Sequence, residues 1–235
     1  NKVCLEALSF VNKHNAFITL GIKPTNPNTG YGYIQYEQPA VTDNVYKVKT
    51  FTEKPNLELA KAFVASGEFL WNAGIFVWQV KNIIGAFEKY LPEMFEVFAA
   101  EQDKFNTTEE ENALQQIYPL CTNISIDFGI MEKADNVYVI PSSFGWSDLG
   151  TWNSAWENME KDYLGNAVAG GNVIVFDTQR CVVNTPDDKL VVLQGLEDYI
   201  VVDTQDVLLI CKKEKEQDIK EYVAEVKRNK GEKYL

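Results

Sequence analysis

Four short stretches of this sequence combine polar side chains with glycines or aromatic neighbours in patterns that suit small-molecule chemistry. In Thr29-Gly30-Tyr31-Gly32-Tyr33-Ile34, two glycines alternate with two tyrosines. With no Cβ, Gly32 lets a ligand approach the backbone closely, and nearby N–H groups can donate to hydroxyl or phosphate oxygens. A plain turn explains the same pattern. In Phe51-Thr52-Glu53-Lys54-Pro55, opposite charges stand side by side at the end of a predicted strand. The carboxylate can accept from two hydroxyls and the ammonium can pair with phosphate, which together suit a sugar phosphate. An exposed ion pair worth almost nothing is the bland alternative. Trp71-Asn72-Ala73-Gly74-Ile75-Phe76 offers an amide donor and acceptor at the mouth of a predicted strand. In Gly145-Trp146-Ser147-Asp148-Leu149-Gly150-Thr151-Trp152, an aspartate lies between glycines and tryptophans. Asp148 can give an oxygen to a hard cation such as Mg2+, or it can cap a helix beginning near Leu149.

These stretches must be held by something, and the hydrophobic periodicity says what. Residues 2–14 read as a helix with Cys4, Leu8 and Val11 on its inner face. Ala16–Ile22 reads as a buried strand, Tyr33–Tyr36 and Val45–Thr52 as further strands, and residues 73–80 as a short apolar one. Pro55 opens a helix that carries Leu57, Ala60, Phe63 and Val64 inward and ends at Gly67. A second helix starts near Asn82, with Ile83, Ile84, Phe87 and Leu91 on its stripe, and breaks at Pro92. Thr107-Thr108-Glu109-Glu110 fits a capping box. Ser125 caps a short helix carrying Ile126, Ile130 and Met131, and Val137–Ile140 is again strand-like. Helices alternating with apolar strands indicate an α/β layered domain over residues 1–160.

After Gly165 the texture changes. Five β-rich runs start at Val173, Cys181, Leu190, Tyr199 and Val207. Asp177-Thr178 recurs as Asp203-Thr204, so three strands form one period and Val173–Thr178 should stack in parallel beside Tyr199–Thr204. A β-helix and an antiparallel sandwich both fit this spacing. The tail from Lys212 is a charged helix with Ile219, Tyr222, Val223 and Val226 as a sparse apolar stripe.

Composition narrows the class. With 22 Lys plus Arg against 34 Asp plus Glu, the net charge is −12. Such a chain is a poor partner for nucleic acid or an anionic membrane, although a local basic pocket for a small anion is compatible with it. No apolar run reaches the length of a membrane span, and no signal peptide is visible. Cys4, Cys121, Cys181 and Cys211 are far apart and read as reduced, buried thiols of a cytosolic protein. His14, the only histidine, is read as a solvated helix-end residue.

Taken in order, TGYGYI, FTEKP, WNAGIF, SIDFGIMEKA and GWSDLGTW closely resemble the mannose-1-phosphate guanylyltransferase family of sugar-1-phosphate nucleotidyltransferases, over essentially the whole chain. The resemblance implies a partial Rossmann-like nucleotidyltransferase domain over 1–160. A small left-handed β-helix domain with a terminal helix follows over 161–235. It implies transfer of GMP from GTP to α-D-mannose 1-phosphate, giving GDP-mannose and pyrophosphate, with Mg2+ or another divalent cation and a cytoplasmic setting. Gly32 would approach the sugar, Glu53 and Asn72 would bond its hydroxyls, and Lys54 would pair with the phosphate. Asp148 would ligate the metal, with Lys54 and Asp148 carrying the catalytic weight. The family's glycine-rich loop G-G-x-G-x-R-L-x-P is absent from these residues, as is its first metal aspartate. The chain alone is therefore expected to be inactive. A nucleotidyltransferase for another sugar 1-phosphate and a non-catalytic oligomerisation or regulatory module are the alternatives. A homodimer is expected, because the strand stack ends in an unpaired rim.

Overall fold

The computed structural model describes residues 2–234, in two compact units, one running to Trp146 and the other starting at Ser147. In the first, α1 (Lys2–Lys13) buries Ala7, Phe10 and Val11, with Val3 partly covered. The helix is turned relative to the expected face, so Cys4 and Leu8 are exposed. The large ring of Phe10 claims the interior, where it packs against Tyr138 at 5.1 Å between ring centres. His14 ends this helix in the open. Its Nδ1 bonds the Phe10 carbonyl at 3.0 Å and its ring stacks on Phe10 at 4.1 Å.

Five strands follow: β1 (Phe17–Ile22), β2 (Tyr33–Tyr36), β3 (Tyr46–Thr52), β4 (Phe69–Val77) and β5 (Val137–Ser142). Their order is β1-β4-β2-β3-β5, and β5 pairs back onto β1, so the sheet closes as a barrel. Only β1 and β5 are parallel neighbours. β1 is buried along nearly its whole length because both of its faces are covered. β4 begins at Phe69, earlier than the apolar run suggested, so Asn72 lies inside the strand rather than at its mouth. The pairings Tyr33↔Trp71 and Gly21↔Asn72 hold it there.

Between β3 and β4, α2 (Leu57–Ser66) is capped by Asn56, whose side chain accepts from Leu59 N at 2.9 Å, and stopped by Gly67 at φ 70°. Ala60, Phe63 and Val64 pack inward as expected, but Leu57 is exposed. α3 (Val80–Tyr90) and α4 (Pro92–Ala100) are separated at Leu91, with Pro92 opening the second helix. On α3 the inward residues are Ile83, Ala86 and Phe87, and Ile84 is exposed. α5 spans Glu110–Ile117. The expected box before it does not form: the Thr107 hydroxyl accepts from Glu109 N, and the Glu110 carboxylate accepts from Asn106 N. Ser125 does cap the next turn, Asp127–Met131, which is π-helical.

The second unit opens with α6 (Trp152–Asn158), whose first turn carries a reciprocal capping box between Thr151 and Ser154. The strands β6 (Ala167–Ala169), β7 (Val173–Phe176), β8 (Val182–Asn184), β9 (Val191–Gln194), β10 (Tyr199–Asp203) and β11 (Leu208–Lys212) form two sheets, β11-β10-β8-β6 and β7-β9. Parallel stacking holds, but with a different period. Val173 pairs with Val191 and Val182 with Ile200, an offset of 18 residues, so each coil contains two strands. β7 stacks on β9, not on β10. Left-handed backbone recurs at the same offset, at Asp177 and Gly195 and at Arg180 and Asp198, which mark the corners.

The repeated Asp-Thr misleads because the two copies do different work. Asp177 is a left-handed corner, whereas Asp203 lies in β10 and pairs with Lys189 at 2.6 Å. β11 turns back antiparallel on β10 and ends the parallel stack. Cys181 and Cys211 are buried in this unit as free thiols, whereas Cys4 is exposed. In α7 (Ile219–Lys230) only Ile219 reaches the core, and Tyr222 and Val223 remain exposed. Among the described residues no helix is long and apolar enough to cross a membrane.

Candidate functional site

Four of the five residues singled out by the sequence, Gly32, Glu53, Lys54 and Asn72, lie in the first unit, and the structure connects all four of them. Gly32 leads into β2, and its carbonyl accepts from Asn72 N at 2.8 Å. A Cβ on Gly32 would collide with Glu53 Oε2 and would lie 3.6 Å from Asn72 Nδ2. The missing side chain therefore lets a carboxylate oxygen close against the bare Cα, with an amide nitrogen beside it.

Glu53 ends β3. Its side chain is 7% exposed; Oε1 pairs with Lys54 Nζ at 2.9 Å, and Oε2 is buried with no partner. Burial pushes the Glu53 carboxyl above its ordinary range. The hydrogen bond from Lys54 opposes this, and the charges of Asp127 and Glu132 add to it. Lys54 sits in left-handed backbone at φ 46°, held by its N–H to the Tyr31 carbonyl at 3.2 Å. Strained backbone of this kind persists where its surroundings over-determine it. It leaves the Lys54 ammonium about half exposed at the rim, free to meet an anion while it pairs with Glu53. Tyr31 makes edge contacts with Trp71 and Trp146, at 5.0 and 5.4 Å between ring centres, which walls this side of the site.

Three members of the network were not found in the sequence. Thr19 Oγ donates to Asn72 Oδ1 at 2.7 Å. Asn72 Nδ2 donates to Asp127 Oδ1 at 3.0 Å. Glu132 Oε1 accepts from Glu53 N at 2.9 Å. Asp127 and Glu132 are five residues apart, on different faces of an ordinary α-helix. The π turn closes an i to i+5 bond from Glu132 N to the Asp127 carbonyl at 2.9 Å and brings both carboxylates to the site. SIDFGIMEKA contains both residues, but its spacing carries meaning only once the turn is known to be π-helical.

Asp148 belongs to the second unit. Its Oδ1 accepts from Gly150 N at 3.0 Å, the geometry of an Asx turn. It does not cap a helix: α6 begins at Trp152 and its cap is Thr151. Among the described residues no group of three or more His, Cys, Asp or Glu side chains could hold a metal ion. These residues do not build a metal centre by themselves, and Asp148 offers at most one oxygen to a cation held by other groups.

The first unit is thus a closed mixed sheet carrying a buried acid, a rim ammonium and a bare glycine, and the second holds stacked parallel coils. Residues 3–164 match the nucleotidyl transferase family model, and residues 171–226 match the MannoseP isomerase/GMP-like beta-helix domain. The chain belongs to the nucleotidyl transferase family.

Among individual proteins, it is 37% identical over 221 residues to a mannose-1-phosphate guanylyltransferase of Klebsiella pneumoniae, covering 92% of this chain and 46% of that protein. It is 36% identical over 212 residues to the alginate biosynthesis protein AlgA of Pseudomonas putida, covering 88% and 42%. The chain thus spans about half the length of the curated relatives it matches. The crystal structure of mannose-1-phosphate geranyltransferase from Thermus thermophilus superposes with a TM-score of 0.78 at 28% identity, over 96% of this chain and 64% of that one. A mannose-6-phosphate isomerase structure from Helicobacter pylori, at 24% identity and a TM-score of 0.53, shares the fold over 63% of this chain and 57% of that one.

Proposed function

We propose that this chain forms the sugar-phosphate side of a mannose-1-phosphate guanylyltransferase, which transfers GMP from GTP to α-D-mannose 1-phosphate and releases pyrophosphate. The observation that carries the reading is Glu53 Oε2: buried, without a partner, and facing the bare Cα of Gly32. An unsatisfied buried oxygen is costly, and sugar hydroxyls are the donors that would satisfy it. Asn72 contributes a second polar contact, and the Lys54 ammonium pairs with the sugar phosphate. The phosphate oxygen then attacks the α-phosphorus of GTP, and the bond to pyrophosphate breaks. No covalent enzyme intermediate is needed, so the residues act by holding the sugar phosphate in line. A divalent cation would neutralise charge on the phosphates when bound, with Asp148 supplying one oxygen. The names of the relatives, several of them mannose-1-phosphate guanylyltransferases, support this choice of substrate.

Calorimetric titration of the chain with α-D-mannose 1-phosphate tests the reading. Binding is expected, weakened about ten- to a hundredfold in Lys54→Ala by loss of a charge-assisted hydrogen bond. No binding at millimolar ligand, or unchanged binding in Lys54→Ala, would refute the sugar-phosphate assignment. In a longer protein that also carries the glycine-rich loop, product analysis with GTP should detect GDP-mannose.

A further inference from the structure

The carboxamide of Asn72 is held in one orientation by groups with no choice of role. Gly74 N–H, which can only donate, meets Oδ1 at 3.2 Å. The Asp127 carboxylate, which when ionised can only accept, meets Nδ2 at 3.0 Å. Thr19, fully buried, donates a second bond to Oδ1 at 2.7 Å. An amide oxygen has two lone pairs and both are used; the nitrogen has two hydrogens and one is used. What Asn72 can offer a ligand is therefore a single N–H. Against the bare Cα of Gly32, near Asn72 Nδ2, Glu53 Oε2 can only accept while it is ionised.

We infer that Asp127 and Thr19 are positioning residues that make Asn72 a pure donor, so that Asn72 and Glu53 together read one sugar hydroxyl in both of its roles. That hydroxyl gives its proton to Glu53 Oε2 and accepts from Asn72 N–H. The inference rests on the sugar-phosphate reading above and deepens it. Only a hydroxyl satisfies both partners. A hydrogen at that position satisfies neither, and a fluorine cannot donate to the carboxylate. A site whose polar groups are left unpaired rejects the lacking analogue much more strongly than an apolar pocket rejects a missing methylene. If the carboxamide were released to flip, its oxygen would face the hydroxyl beside a carboxylate, and two acceptors would compete for one proton. Discrimination depends on the fixed orientation and not on the presence of Asn72 alone.

The test is calorimetric titration of the chain with α-D-mannose 1-phosphate and its four monodeoxy analogues. In the wild type one analogue should bind about tenfold or more weaker than the parent sugar. In Asp127→Asn the parent sugar should lose about that factor while the matched deoxy sugar binds as it does to wild type, so their ratio approaches one. A merely structural defect would weaken both sugars alike and leave the ratio intact. Thr19→Val should reproduce the collapsed ratio, and Thr19→Ser, which keeps the hydroxyl, should restore it. This pair carries the test if Asp127→Asn fails to fold by circular dichroism. If wild type binds no mannose 1-phosphate, the underlying functional reading fails. If it binds and discriminates but the ratio survives in both Asp127→Asn and Thr19→Val, the positioning inference alone is overturned. Equal binding of all four deoxy sugars to wild type would overturn it as well.

Discussion

Glu53→Gln addresses the tension built into the site. In the folded chain one carboxylate oxygen pairs with Lys54 and the other is buried without a partner. Leaving a buried polar atom unsatisfied costs about 1–3 kcal/mol. The pair with half-exposed Lys54 offsets this by about 0.2–1 kcal/mol. An isosteric neutral amide still leaves a polar atom without a partner but removes the cost of the buried charge, so the variant should be more stable at pH 7 by up to about 1 kcal/mol, or roughly 2–4 °C in Tm for a chain of this size.

The pH dependence fixes the cause. Burial raises the Glu53 pKa above its unfolded value, with Asp127 and Glu132 adding to the shift against the pull of Lys54. The folded state therefore holds this proton more tightly than the unfolded chain. By linkage, its contribution is fully present below the unfolded pKa of about 4.3 and is lost as pH rises through the higher folded value. The advantage of Glu53→Gln should thus be absent near pH 3.5, about a unit below the ordinary glutamate value, and grow as pH rises through the folded value. Thermal unfolding of both proteins across that range measures it. Titration with mannose 1-phosphate should show affinity falling about tenfold or more in the same variant. A variant less stable than wild type at pH 7, or equally stabilised at both ends of the range, would show that Oε2 is not the source of strain.

Gly32→Ala should abolish sugar-phosphate binding and destabilise the fold, because its Cβ would strike Glu53 Oε2 and press on Asn72 Cβ at 3.2 Å; calorimetry and thermal unfolding read the two effects. Thr151→Ala should cost about 1 kcal/mol through loss of the α6 cap, whereas Asp148→Ala should shift stability by no more than about 0.5 kcal/mol, since Asp148 caps no helix. Equal losses in denaturant unfolding would restore the capping role of Asp148. A thiol reagent at neutral pH should label exposed Cys4 quickly and leave Cys181 and Cys211 unlabelled until the chain unfolds, because burial both shields those two thiols and pushes their pKa up; rapid labelling of Cys181 in the native chain would contradict its packing.

Much of the molecule is written in local pattern. Apolar runs, proline and glycine stops and the change of texture after Gly165 locate most helices and strands, because burial and backbone geometry act over a few residues at a time. Gly32, Glu53, Lys54 and Asn72 stand out through their types and neighbours, and the ordered motifs carry the family. What the sequence left open depends on partners far away in the chain. The face of α1 was settled by the fit of Phe10 against Tyr138, and no count along one helix contains that information. The 18-residue coil was hidden behind a repeated Asp-Thr, because strand pairing is decided between runs and not within them. Thr19, Asp127 and Glu132 joined the site only through tertiary contacts spanning 53, 55 and 79 residues. The residue types that do the chemistry are local facts, but the single orientation of Asn72 and the unpartnered oxygen of Glu53 exist only once strand, barrel and π turn have closed around them.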